Sequence, residues 1–366
     1  MDKDKLYLIH GHDPKAMALE LCRRLDPAAG LGPETVVGLK PNLVVAKPAS
    51  SGATTSTGLV EGLVEYLKDR DLSRIWVMES SGVGHSTARA FKATGLDRVA
   101  ARYGLELIDL KKESSAPVRE DGFETRIFER LERVDFLINL PVIKAHCQTR
   151  ITCALKNLKG LIPDSEKRRY HSLGLHEPIA RLNRLVSQDL ILADGIQGDL
   201  SFEEGGTPVR MDRLVMAADP VLLDSYVAQS LGHPWQRIEH LARARELNVG
   251  RALTSPDQVI EINSPQTPPG PFTPDRRLDH LARWVEAREA CSICYGSLLF
   301  ALDKLDRRGR LRALNTGICV GQGFKDREGM KIGIGSCAAG AEKNLPGCPP
   351  FSSKMVDYLD RILGPS

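Results

Sequence analysis

The chain has 366 residues, 42% hydrophobic and 27% charged, enough for two or three hydrophobic cores rather than one. Its 50 Lys and Arg against 47 Asp and Glu leave a formal charge of +3, so nothing in the balance calls for nucleic acid as a partner. No charged-then-apolar leader occupies Met1–Asp13, and no apolar run reaches the roughly 18–20 residues that span a bilayer, so a soluble, cytoplasmic protein with no membrane partner is expected. Eight cysteines are then unusual, because such a compartment reduces disulfides; ligation better explains those that cluster.

In chain order, Leu6–His10, Val36–Lys40, Ile75–Glu79 and Leu105–Leu110 read as buried strands, with helices over Lys15–Leu25, Leu59–Asp69 and Ala88–Ala93 between them. This alternation predicts an α/β fold, a doubly wound and mostly parallel sheet. Val134–Leu140 is a further strand, followed by a polar stretch, Lys144–His176, too long for a tight connection and therefore functional or disordered. Leu190–Asp194 reads as a strand and Val215–Leu231 as helical, started by Asp219-Pro220, where Asp can cap and Pro can take the first turn. The expected organisation is a Rossmann-like domain over 1–263 with a polar insertion at about 144–188, a Pro-rich linker over 264–276, and a smaller α/β domain over 277–366. In the last, Leu278–Ala290 and Lys354–Leu363 read as helices.

Cys291 and Cys294 form a CxxC, a spacing that brings two thiolates to one metal centre from a single turn. Lys331-Ile-Gly-Ile-Gly-Ser-Cys337 reads as a strand entering a glycine turn, and Leu345-Pro-Gly-Cys-Pro-Pro350 holds Cys348 in a segment that its prolines keep non-helical. Four thiolates suit a 4Fe-4S cluster or a structural zinc, while a CxxC dithiol alone leaves Cys337 and Cys348 unexplained. The segments Gly335-Ser-Cys-Ala338 and Gly347-Cys-Pro-Pro350 resemble the cluster-binding segments of the small subunits of nickel–iron hydrogenase and respiratory complex I, which implies a four-iron cluster on Cys337 and Cys348; with the CxxC standing in place of that group's N-terminal cysteines, the expected ligands are Cys291, Cys294, Cys337 and Cys348. Cys319 is either a fifth thiol near it or a buried strand cysteine, Cys22 reads as core, and Cys147 and Cys153 lack the spacing of a metal pair.

A second constellation lies at strand ends, where open α/β sheets bind ligands. Lys40-Pro-Asn42, Lys144-Ala-His146, Lys156-Asn157 with Lys159, His171 and Asp194 together supply groups to hold an anionic substrate and move a proton. The expected roles are catalytic for Lys144, His146, Lys156 and Asp194, and substrate-binding for Lys40, Asn42, Asn157, Lys159 and His171; each taken alone also fits a solvated charge or a turn. Ser81-Gly-Val-Gly-His85 is too incomplete for a dinucleotide fingerprint.

These motifs, in the order Lys40-Pro-Asn-Leu43, Ile143-Lys-Ala-His146, Ala154-Leu-Lys-Asn157 with Gly160, Asp194-Gly-Ile196 and Asp219-Pro220 with Asp224, followed by the cysteine segment, resemble the uncharacterised family named "domain of unknown function 362". That resemblance implies iron–sulfur ligands, common among members and in anaerobes, and no general reaction. The expected function is an iron–sulfur redox protein, transferring electrons to a partner protein or reducing a small anionic substrate. The alternatives are a non-redox isomerase or lyase with a structural or Lewis-acid cluster, and a zinc-stabilised binding protein.

Overall fold

A computed structural model of the chain describes residues 1–265, 272 and 277–364. Two units make it up, one of residues 1–167 and 176–274, the other of 168–175 and 275–366. Most of the expected linker, 266–271 and 273–276, lies outside the described residues.

In the first unit the apolar runs form strands, those in the middle of the sheet buried on both faces as a sheet covered by helices requires. They are β1 (Leu6–His10), β2 (Val37–Pro41), β3 (Ile75–Glu79) and β4 (Glu106–Asp109), and every residue of β2 and β3 is buried. Helix α1 (Pro14–Leu25) follows β1 and starts where the Asp13 carboxylate accepts from the Lys15 and Ala16 amides. Helix α2 (Thr57–Lys68) follows β2, and the short α3 (Thr87–Thr94) and α4 (Leu96–Tyr103) follow β3. Leu21, Leu63 and Leu67 of these helices pack with Leu39, Val77 and Ile138 of the sheet.

Strand β5 (Phe136–Leu140) pairs with β2, and the chain then crosses to β6 (Leu190–Asp199) on the far side of β5. All neighbours from β6 through β5, β2 and β3 to β4 are parallel. An antiparallel strand β7 (Pro208–Ala217), then β1, then β8 (Val259–Glu261) complete eight strands in the order β8-β1-β7-β6-β5-β2-β3-β4. From β2 the chain first builds outward through β3 to β4 and later returns to place β5 on β2's other side. The order therefore reverses between β2 and β5, which leaves a crevice at their carboxyl ends.

Several expectations change. The stretch Lys144–His176 is not an open loop: it folds into a hairpin of Lys144–His146 with Arg150–Thr152, a one-turn helix α5 (Ala154–Asn157) and a helix over Asp164–Ser172. Polar composition concealed this order because its side chains are satisfied by one another. Val215–Ala217 belongs to β7, where it pairs with β1 and β6; the helix α6 (Pro220–Ser230) begins only at the cap. Asp194 does not end its strand, since β6 continues through a bulge at Gly195–Gln197 to Asp199.

In the second unit, the helix expected over Leu278–Ala290 stops at Ala282, and β9 (Val285–Ala287) takes its place because parallel partners are available. Helix α7 (Ser292–Arg307) follows, then β10 (Ile318–Val320), β11 (Ile332–Ile334) and β12 (Lys343–Leu345), a parallel sheet in sequence order, and helix α8 (Ser352–Ile362), which packs on α7. No described helix is long and apolar enough to cross a membrane.

The Asp219 carboxylate accepts from the amides of Val221 (2.8 Å) and Leu222 (2.9 Å) and also from Arg251 (2.7 Å), tying the segment before β8 to the helix start. Asp219→Ala is expected to lower stability by about 1–2 kcal/mol, the upper range for a cap. Chemical denaturation should show a lower midpoint with an unchanged slope.

Candidate functional site

At the β2–β5 reversal, the turn after β2 carries Asn42, and its amide donates to Thr55 Oγ1 (2.8 Å), which in turn donates to the Leu140 carbonyl (2.7 Å). One hydroxyl thus fastens the ends of both strands. Between them lies a buried polar cluster. Lys40 is fully buried at the end of β2, and its ammonium donates to Glu79 (2.7 Å), to the Pro41 carbonyl (2.8 Å) and, weakly, to Asn157 (3.4 Å). Asn157 accepts from Asn42 (2.8 Å) and donates to Asn139 (2.7 Å) and the Lys40 carbonyl (3.2 Å).

Helix α5 presents Lys156 and Asn157 here because its exposed amides are capped from below: the Asp224 carboxylate on α6 accepts from Ala154 (2.7 Å) and Leu155 (3.0 Å). Burial raises the Asp224 carboxyl to about 7. The following Gly160 has no room for a side chain, since a Cβ there would stand 1.9 Å from Glu79 and 2.5 Å from Lys40. The glycine is what lets the chain pass over the Lys40–Glu79 pair.

Lys144 is also fully buried, and its ammonium donates to Asn42 Oδ1 (3.1 Å) and to the carbonyls of Ala53 (2.7 Å) and Glu203 (2.9 Å). Three donors meet three neutral acceptors. Burial lowers its pKa to about 7, with the Lys156 charge acting in the same direction and Glu203 opposing it. The Glu203 carboxylate stands 2.9 Å from Lys156 Nζ and 2.5 Å from His146 Nε2. Burial works against its charge, yet His146 and Lys156 beside it hold it well below the usual carboxylate range.

His146 is locked as one tautomer. Its Nδ1 accepts from the Gln148 (3.1 Å) and Thr149 (3.0 Å) amides, so the proton sits on Nε2, facing Glu203. That ring closes a turn rather than waiting as a base.

Three converging ammonium groups would repel one another without an anion, and the sequence supplied no obvious internal one. Here Glu79 and Glu203 are those anions: neither was singled out in the sequence. Glu79 was visible as a carboxylate closing an apolar strand, whereas Glu203 sits in a hairpin loop with no signal of its own. Asp194 is drawn into structure, its carboxylate accepting from the Ser56 amide (2.7 Å), the Ser56 hydroxyl (2.5 Å) and the Ile196 amide (3.0 Å) at the start of α2. Lys159 is half-buried, on the turn after α5, and its charge bears on His146. His171 is not part of this cluster; it belongs to the second unit, where its Nε2 accepts from the Ser292 amide (3.5 Å).

In the second unit, Cys291, Cys294, Cys337 and Cys348 line one cavity of about 210 Å³, together with Arg168, Gln322, Lys325, Ser336 and the backbone of Gly321, Gly335 and Gly347. The four thiols arrive by three routes. Cys291 stands at the cap of α7 and Cys294 in its first turn; Cys337 follows β11, and Cys348 follows β12. Gly335 takes φ +90°, a left-handed conformation that turns the chain from β11 toward Cys337. The Gly335 amide donates to the Leu345 carbonyl (2.8 Å) and the Ser336 amide to Gly347 (2.9 Å), which fixes the two later cysteine segments against each other.

Among the described residues no disulfide joins any cysteine, and no three or more His, Cys, Asp or Glu side chains gather tightly enough to hold one metal ion. Cys319 does not line the cavity; it packs in β10 with Phe324, Met330 and Ala338. Cys22 is fully buried in the first unit's core, where burial pushes its thiol up to about 12.

Burial, the Lys156 charge and the Lys159 charge push His146 down to about 4, against the pull of Glu203. The unfolded chain therefore takes up a proton near 6.5 that the folded ring refuses until about 4, so stability from this group is constant above 6.5 and falls as the pH drops between those values. Denaturation series at pH 7 and pH 4.5 should show a smaller acid loss in His146→Gln than in the parent; equal losses contradict the lowered pKa of the folded ring.

Residues 37–229 match the family described as "Domain of unknown function (DUF362)". A thylakoid-associated protein of Synechocystis sp. is 23% identical over 198 residues, 51% of this chain, and the chain covers 60% of that protein's length. The lactate racemase apoprotein of Thermoanaerobacterium thermosaccharolyticum aligns in structure with TM-score 0.42 and 11% identity, over 61% of this chain and 57% of its own. A Thermotoga maritima protein of known structure aligns with TM-score 0.35 and 14% identity, over 50% of this chain and 51% of its own. With a match over more than half its length, the chain belongs to the DUF362 family.

Proposed function

We propose that the second unit binds a 4Fe-4S cluster through Cys291, Cys294, Cys337 and Cys348, and that the protein is an iron–sulfur redox protein serving electron transfer or the reduction of a small anionic substrate. The observation that carries this reading is the lining of a single cavity by all four thiols. Their spacing in the sequence favours the cluster over zinc, since structural zinc commonly takes two short-spaced pairs and Cys337 and Cys348 are eleven positions apart. A tetrahedral zinc draws four sulfurs to about 3.8 Å from one another, given Zn–S bonds of about 2.3 Å. A cubane instead gives each thiolate its own iron, so its four sulfurs stand further apart around the cluster. The lining charges agree: Arg168 and Lys325 are cations and no carboxylate lines the cavity, which suits a thiolate-ligated cluster carrying net negative charge. When bound, the cluster supplies one-electron chemistry.

A second reading, a non-redox isomerase or lyase acting on a hydroxy- or carboxylate compound, draws on Lys144, whose pKa near 7 lets it change protonation at neutral pH. It would place proton transfer at the β2–β5 crevice, with Lys156 and Asn157 as anion contacts. A reversibly reducible cluster favours the first reading; a redox-silent one with Lys144 essential favours the second.

Protein purified without oxygen should be brown and contain iron and acid-labile sulfide. Cys348→Ser should lose most of both, while Cys22→Ala keeps them. Colourless protein with one equivalent of zinc overturns the proposal.

A further inference from the structure

The second unit is basic although the chain as a whole is nearly neutral. Residues 168–175 and 275–366 hold 17 Lys and Arg against 11 Asp and Glu, so the remaining residues are net acidic. The positive charge reaches the cysteine cavity itself, whose charged lining is Arg168 and Lys325. Cys348 is exposed where the cavity meets solvent. Three residues on, Phe351 is 70% exposed, the most exposed large hydrophobic side chain among the described residues. It precedes α8, and one turn further along that helix Lys354 is exposed as well. Among the described residues, the Phe351 ring is thus left largely in water three residues past a cavity-lining thiol.

We propose that this face, Phe351 and Lys354 with Lys325 and Arg168 at the cavity mouth, is the docking surface for an acidic one-electron carrier protein. The inference rests on the cluster reading above. Transient redox encounters bury small areas and depend on charge for their association rate and on few apolar contacts for their hold. Such a surface needs cations and an exposed aromatic: Phe351 follows the cavity-lining Cys348 by three residues, Lys354 follows Phe351 by three, and Lys325 and Arg168 line the cavity itself. The step is balanced simply: the reduced carrier gives up one electron and is oxidised, the bound cluster is reduced by that electron, and no covalent bond forms or breaks.

The test uses full-length protein purified without oxygen, its iron and sulfide measured first. An acidic plant-type ferredoxin serves as the carrier probe, and dithionite as the small reductant. Two quantities are read: the Kd for the ferredoxin by calorimetry, and the rate at which pre-reduced ferredoxin reduces the cluster, divided by the rate with dithionite alone in the same variant. From low salt to about 0.3 M the carrier rate should fall about tenfold. Lys354→Glu should lower the rate ratio at least about threefold and flatten its salt dependence. Phe351→Ser should weaken Kd about tenfold. A full cluster with rates indifferent to salt and to both substitutions overturns the docking surface alone. Binding to phosphatidylglycerol vesicles that both substitutions abolish, with the ferredoxin ignored, overturns it in favour of a membrane surface. Iron-free protein overturns the cluster reading and this inference with it.

Discussion

The first unit depends on one electrostatic constraint: ammonium groups buried at the ends of parallel strands need neutralising charge and complete hydrogen bonding, or they would not stay folded in. Lys40 and Lys144 are fully buried, and each has three acceptors. To meet that demand the chain brings Glu79 from β3, Asn42 from the turn after β2, Asn157 from α5 and Glu203 from the β6–β7 hairpin to one place. Removing one partner of such a pair typically costs about 3–5 kcal/mol, because the other charge stays behind unpaired. The cluster therefore fixes where the crossing segments run.

The same network changes what the individual side chains can do. Lys40 is fully engaged with Glu79, the Pro41 carbonyl and Asn157, so its charge is spent internally. His146 closes its own turn, and Asp194 anchors the start of α2. Lys144 is the group whose proton is loosely held at neutral pH, since burial and Lys156 both disfavour its charge. Perturbed protonation of this kind concentrates at functional sites but also arises in purely structural ion networks.

The second unit solves a different problem by backbone alone. Four short parallel strands end at one edge, and tight turns at Gly335 and Gly347 aim the chain back across that edge, so thiols from two turns and from the start of α7 face one space. Strand ends are good places for ligands because their backbone directions converge while their side chains are not needed for pairing.

By itself the sequence determined the alternation of strands and helices, the cap at Asp219-Pro220, and the identities of the polar residues Lys40, Asn42, Lys144, Lys156 and Asn157, because these depend on local periodicity and on residue chemistry. It also marked the four cysteines by spacing and by their Gly and Pro neighbours. The tertiary structure alone decided strand order and with it the β2–β5 reversal, the strand over Val285–Ala287, and the carboxylates that answer the lysines. Glu203 lies 47 residues from Lys156 along the chain, and His171 groups with the cysteine unit. The reason is the range of the forces involved: periodicity is written within one element, whereas charge neutralisation and strand pairing are settled between elements only when the chain closes on itself.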